Sequence, residues 1–388
     1  MLLTNSTGNK TSQVESVREK FFFLLYAAYE ITYYIFGQST INTFFNTSSI
    51  TFSVNLLVII GLTFFVATNK YDLIQFVLIF VGIIMGLYAY SVLRLNVLLI
   101  TVLFMAAAKN IHLNQFIKKD FMLRTILLVG IILANRLGFV PSNTGLRVGT
   151  ITIVRDSLGF GQFNITGALI MICVLEYVYL NFQRMTSLAY QWIVIIIVLT
   201  LALTNSRGSM LAATLYTLAS WLFQHHNKEA RYWTKKLIGY AKYMFGFLTV
   251  VSTIAVVLFS YKSTMWQFIN KVTSDRINIL NQYYEKFGIH ILPQQVTNYR
   301  SAGIIVMDNI YVTLAIQYGL IVILLFVIYY YIVCAEALKK NNIQFILMLV
   351  ALMIFGIIES SFFIVGINFT VMMIFSNMSV MSNSSLEE

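Results

Sequence analysis

Apolar runs of membrane-crossing length recur along the chain, separated by short polar breaks. At roughly 20 apolar residues per crossing, they predict about twelve spans. These run over 21–36, 50–68, 71–90, 94–108, 121–135, 164–181, 188–204, 209–224, 243–261, 310–333, 343–358 and 362–376. An open sheet edge cannot satisfy its backbone in hydrocarbon, so each run is expected as a helix. The turn between the third and fourth is very tight. The expected fold is all-α, a polytopic integral membrane protein whose single transmembrane domain covers 1–388. A long loop precedes the tenth span. Residues 1–20 are polar, and the apolar run after them is longer than a signal core and lacks a small-residue cleavage site, so no cleavable signal is expected.

Composition agrees with that pattern. Of 388 residues, 59% are hydrophobic and 11% charged, with mean hydropathy +0.78. A soluble domain is about 45–50% apolar and about 25% charged. A soluble globule, a disordered chain and a disulfide scaffold are therefore excluded. Cys173 and Cys334 lie inside apolar runs and read as small hydrophobes.

The net charge of +11 would suggest nucleic acid in a soluble protein. In a membrane protein it sets orientation, and no nucleic-acid partner is expected. With both termini in the cytoplasm, the inside carries Lys10, Arg18, Lys20, Lys70, Lys109, Lys118, Lys119, Arg124, Arg184, Lys228, Arg231, Lys235, Lys236, Lys242, Lys339 and Lys340. The outside carries Arg94, Arg136, Arg147, Arg155, Arg207, Lys262, Lys271, Arg276, Lys286 and Arg300. The inside is thus mostly lysine and the outside mostly arginine. Lysine serves orientation as a point charge, whereas arginine is the residue for forked recognition of phosphate or carboxylate. Arginines held outside work against the orientation rule and need another reason; for Arg94 and Arg136, anchoring at the interface is one.

The longest inside loop, from about His225 to Lys242, is basic (HHNKEARYWTKK) and suits anionic headgroups. His225 and His226 lack a second ligand pair for a metal. The chain has no G-x-x-x-x-G-K-[ST], no Rossmann fingerprint and no D-x-D pair, so no nucleotide machinery, cofactor or metal is expected. The outside loops, 136–163 and 262–309, are long, and such loops are usually functional. The second interleaves Trp266, Tyr283, Tyr284, His290 and Tyr299 with polar residues, and a short amphipathic helix is expected over about 273–287. Such aromatics either stack on sugars beside arginine or form an interfacial belt.

On this topology the sixth, eighth and tenth spans point their N-termini outward. A helix N-terminus offers free N–H groups and the positive end of a dipole. The first start reads RDSLGFGQFN (155–164), with Arg155 before two glycines and Asn164 as an expected N-cap. The second, TNSRGS (204–209), puts Arg207 between two spans with almost no loop, at or below the membrane surface, where charge is costly and functional by default; Ser206 or Ser209 can cap it. At the third, MDNIY (307–311), Asp308 is an N-cap, a catalytic carboxylate, or both. Glu30, Glu176 and Glu359 lie within spans, either as a proton relay or paired inside the bundle; Glu359, near an outer end, is the site candidate among them.

The tracts LTNSRGSMLAA (203–213), LGFGQFNITGAL (158–169), SDRINILNQYY (274–284) and DNIYVTLAIQYGLI (308–321) resemble the O-antigen polymerase and O-antigen ligase superfamily. Within it the chain is most similar to the Wzy-type capsule or exopolysaccharide polymerases of Gram-positive bacteria. The resemblance covers about 147–375. It implies a GT-C-like, metal-independent glycosyltransferase at the outer face of the cell membrane. Such enzymes move a growing glycan from undecaprenyl diphosphate onto another lipid-linked repeat unit, with a flippase and a chain-length regulator as partners beside membrane lipid. Arg207 and Arg276 match family positions expected to bind the diphosphate. With Asp308 as base they form the expected catalytic set; Arg147, Arg155, Asn164, Arg300, Asn309, Tyr311 and Glu359 are the expected substrate-binding residues. Ligases have a His-Asn pair where this chain has Asp308-Asn309, which favours a polymerase. A ligase and a lipid-linked oligosaccharide flippase or other transporter are the competing expectations.

Overall fold

The computed structural model describes residues 5–147, 152–225, 236–296 and 307–379, with side chains described from residue 17 and not for Arg147. The protein is a mostly helical membrane protein. In chain order the helices are α1 (Asn5–Thr32), α2 (Ser48–Thr68), α3 (Leu73–Leu93), α4 (Val97–Ala107), α5 (Leu113–Arg136), α6 (Phe163–Asn181), α7 (Ser187–Thr204), α8 (Arg207–His225), α9 (Ala241–Val257), α10 (Thr264–Val272), α11 (Arg276–Phe287), α12 (Ile310–Thr313), α13 (Leu320–Lys339) and α14 (Ile343–Ile358). Five of them, α2, α3, α6, α7 and α13, are long and apolar enough to cross a membrane.

Large apolar side chains on α2, α3 and α7 face outward, among them Phe52, Phe64, Leu73, Phe80, Trp192 and Val198. A soluble monomer does not leave so large an apolar surface in water; here it suits lipid. The centre is α6, α14, α4 and the C-terminal segment, whose residues are mostly buried. Small residues set the close crossings. Gly167 of α6 packs directly on Ser206, and Gly86 of α3 admits the Leu99 backbone of α4.

Four findings differ from the expected spans. First, α4 is 11 residues long, roughly 16 Å at 1.5 Å per residue, too short to cross a hydrocarbon layer of about 30 Å. Second, the run 310–333 is broken. α12 passes into a π-helical turn, Leu314–Tyr318, and ends at Gly319 with φ +84° before α13 begins. The preceding loop plugs the break: His290 and Ile291 carbonyls accept from the Leu320 and Ile321 N–H groups, and Gln294 Nε2 donates to Ile316 O at 2.8 Å. Third, 362–376 is not an α-helix. It contains 3₁₀ turns, Ser360–Phe363 and Phe369–Phe375, joined by irregular chain, and nearly all of it is buried. Irregular backbone is tolerated at membrane depth only inside protein, and side chains supply its partners. Thr101 donates to Phe363 O, Asn368 to Phe362 O, and Arg124 to Gly366 O. Fourth, the loop 136–163 holds a small antiparallel hairpin, β1 (Thr144–Arg147) with β2 (Ile153–Asp156).

Arg124 also corrects the charge map. α5 begins at Leu113, so Arg124 sits about three turns inside a helix, fully buried, and is not a surface cation.

Candidate functional site

Several chain segments meet at one end of the bundle: the hairpin, the starts of α6, α8 and α11, residues 307–309, and the end of α14. Arg155 leaves β2 and lies across the first turn of α6. Its guanidinium is 4.2 Å over the Phe163 ring, and Nη2 donates to Asn164 Oδ1 at 3.0 Å. Its Nε donates to Thr204 O at 2.7 Å, the last residue of α7. Asn205 then takes a left-handed conformation, φ 51°, and α8 starts at Arg207. The Arg155 bridge thus ends one turn from Arg207. Arg207 is exposed, and among the described residues its guanidinium has no ion pair. Gly208 packs against Ile358 at the end of α14.

Arg276 reaches the same place from the other side. Ser274 and Asp275 both adopt positive φ, 57° and 63°. The turn is pinned by Asn270, whose Nδ2 donates to Asp275 Oδ1 and whose Oδ1 accepts from Asn278 N. Arg276 then opens α11 and donates through Nη1 to Ile358 O. That carbonyl is one of the unsatisfied acceptors at the negative end of α14. Arg276 Nη2 lies 3.4 Å from Asp308 Oδ2 and 3.7 Å from Glu359 Oε1.

The two carboxylates differ in environment. Burial pushes the Glu359 carboxyl up to about 8, Asp308 adds repulsion, and Arg276 and Arg155 oppose both. Burial also raises Asp308, against the pull of Arg276. At neutral pH Glu359 therefore mostly holds its proton. Environments that separate two carboxyls in this way set up an acid and a base in one site.

The remaining expected residues fall as follows. The N-cap of α12 is Asn309, whose Oδ1 accepts from Val312 N at 3.1 Å, so Asp308 is not the cap. Asn164 is not a cap either, because α6 starts one residue earlier at Phe163; it serves as the Arg155 acceptor. Tyr311 is fully buried, with its ring 5.0 Å from Phe245 and its hydroxyl donating to Met353 O, so it is a packing residue. Tyr283 is buried with Leu280, Met307 and Val312. Arg136 pairs with Asp156 at 3.0 Å. Arg147 lies in β1, its side chain outside the described set, and Arg300 and Tyr299 lie outside the described residues. The expected helix near 273–287 is α11, Arg276–Phe287.

Sequence reading missed Ile358 at this end and assigned no role to Thr204 or Gly208 within TNSRGS. Two act through backbone carbonyls and one through the lack of a side chain, which no motif records. A cavity of about 490 Å³, lined by Arg18, Lys109, His112, Glu336 and Lys340, lies at the opposite end of the bundle. Among the described residues no group of three His, Cys, Asp or Glu is arranged to hold a metal ion.

Fold and site define an all-α protein embedded in a membrane, with a cluster of arginines and carboxylates at one end. No family model, no curated protein and no solved structure matches the chain.

Proposed function

We propose that the protein is a lipid-linked-sugar glycosyltransferase, a polysaccharide polymerase that extends a glycan carried on undecaprenyl diphosphate at the outer face of a bacterial cell membrane. The observation that carries this reading is the gathering of Arg155, Arg207 and Arg276 with Asp308 and Glu359 where α6, α8 and α11 start. A departing diphosphate develops charge that preorganised guanidinium groups and helix N-termini stabilise. Arg207, exposed at the start of α8, is the group best placed to take it. The acceptor is a sugar hydroxyl. Asp308 ionises before Glu359 and is the candidate base. A donor with a prenyl tail accounts for chemistry at the end of a membrane bundle. A GT-C-like enzyme is the class this belongs to.

The test is elongation of a purified lipid-linked repeat unit by the purified protein, with products sized on a gel. Arg207→Ala is expected to lower elongation by roughly 100-fold or more while the protein still inserts and folds. Normal polymer from that variant removes the assignment. Transfer to a different acceptor in the same assay would make the protein a ligase. A second reading, a lipid-linked oligosaccharide transporter, draws on one observation, the ion cluster in the bundle interior around Arg124. Movement of the lipid-linked substrate across vesicles without elongation would select it.

A further inference from the structure

Away from that site, four ionisable side chains meet in the middle of the bundle. Arg124 of α5 is 0% exposed, and so are Asp120 of the same helix, Glu30 of α1 and Glu176 of α6. Arg124 Nε lies 2.9 Å from Asp120 Oδ1 and 3.7 Å from Glu176 Oε1, and Nη2 lies 3.1 Å from Glu30 Oε1. Tyr26 donates to Asp120 Oδ1, and Arg124 Nη1 lies 3.4 Å from the Tyr34 hydroxyl. Arg124 also donates to Gly366 and Val365 carbonyls in the C-terminal segment. The other titratable groups facing the cluster are Tyr29 and Tyr33 of α1 and Cys173 of α6.

Three carboxyls therefore surround one cation. If all are ionised, two negative charges stand uncompensated in a water-poor interior, which is strongly unfavourable. The hydrogen bonding breaks the tie between the three. Asp120 is bonded to both Arg124 and Tyr26 through Oδ1, and Glu30 is bonded to Arg124 through Oε1. Neither oxygen of Glu176 has a hydrogen-bond partner, although the side chain is fully buried, whereas Asp120 and Glu30 each lack one at a single oxygen, Oδ2 and Oε2. The Glu176 carboxyl lies against that of Asp120. Two carboxylates cannot hydrogen-bond each other; a carboxylic acid and a carboxylate can. A single proton turns two unmatched acceptors into a donor and an acceptor.

We propose that Glu30, Asp120, Arg124 and Glu176 form an intramembrane proton-binding site, in which Glu176 carries the proton and donates it toward ionised Asp120. The site links α1, α5 and α6, and through Arg124 it holds the irregular chain that runs to Glu359. It stands on its own geometry under either reading of the function.

The experiment is infrared spectroscopy of the full-length protein in lipid nanodiscs at neutral pH. All samples carry Glu359→Gln, which removes the other carboxyl that holds a proton there. A carboxylic-acid carbonyl band is expected, shifted by glutamate labelled with ¹³C at the side-chain carboxyl and lost on Glu176→Gln. Gln can still donate toward Asp120, so the unfolding midpoint of Glu176→Gln is expected to stay at the parent value, whereas Asp120→Asn is expected to lower it. A labelled parent protein without a glutamic-acid band overturns the proposal and requires no variant of the cluster to fold. A band that appears only after sodium and potassium are removed also overturns it, making the site a cation site instead.

Discussion

The position of Glu359 fixes how stability should depend on pH. Its carboxyl ionises near 4.5 in an unfolded chain and near 8 in the folded protein, because it is buried and faces Asp308. Between those values the folded state keeps a proton that the unfolded state releases. Stability from this group is complete below about pH 4.5, falls as pH rises, and levels off above about pH 8. The slope is about 1.4 kcal/mol per pH unit. The slope has halved by about pH 8, so the loss from about pH 6 to about pH 8 is on the order of 2 kcal/mol. Glu359→Gln keeps the shape and removes the titration. The assay is detergent-induced unfolding followed by tryptophan fluorescence, comparing the two proteins across that range. The wild type should weaken relative to the variant as pH rises, and the gap should stop growing once Glu359 is ionised. Parallel curves over the whole range would mean that Glu359 is solvated or fully paired, and the acid–base division of the site would fall with it.

Asp308→Asn should leave α12 intact, because Asn309 supplies its cap, and should lower elongation by roughly 100-fold or more if Asp308 is the base. Full activity in that variant would leave Asp308 only the task of holding Arg276. In the wild type, activity should decline as pH falls through the ionisation of Asp308, whose carboxyl is raised by burial, and an acid limb that survives in Asp308→Asn would assign it elsewhere. Gly319→Ala should cost about 3 kcal/mol or more, because φ is +84° and a Cβ would stand 2.7 Å from Ile291 O and the Leu292 carbonyl carbon; an unchanged unfolding midpoint would refute the plugged break.

The helices that sequence located best are those whose burial is decided by their own composition. α2, α3, α6, α7, α8 and α14 begin and end within three residues of the apolar runs that predict them, α14 with no offset at either end. The misses have causes elsewhere in the chain. Gly319 sits inside the apolar run 310–333, and what packs against the break there is a loop some thirty residues earlier in sequence, at Ile291 and Leu292. Residues 362–376 are as apolar as a span, but their backbone is satisfied by Arg124, Thr101 and Asn368, and a hydropathy pattern does not see those partners. The polar tract before Phe121 reads as a loop, which places Arg124 at the membrane surface. The tract is the first two turns of α5, which carries Arg124 into the interior.

The arginines at the site end now separate by what already holds them. Arg276 is engaged by a helix-end carbonyl and two carboxyls, Arg155 by a carbonyl, an amide and a ring, and Arg136 by Asp156. At Arg276 and Arg155 forked donors are needed merely to tie helix ends together, since a lysine could not span two acceptors in fixed directions. Part of the arginine excess there is therefore architectural, and it would persist with no anionic substrate at all. Arg207 differs, being exposed at the positive end of α8, where a cation is disfavoured by the helix dipole. Architecture does not account for it; the proposed anionic substrate would. A diphosphate bound between Arg207 and the α8 N-terminus would leave the Arg155 and Arg276 bridges intact, so the site would need no rearrangement of its helix ends to take substrate.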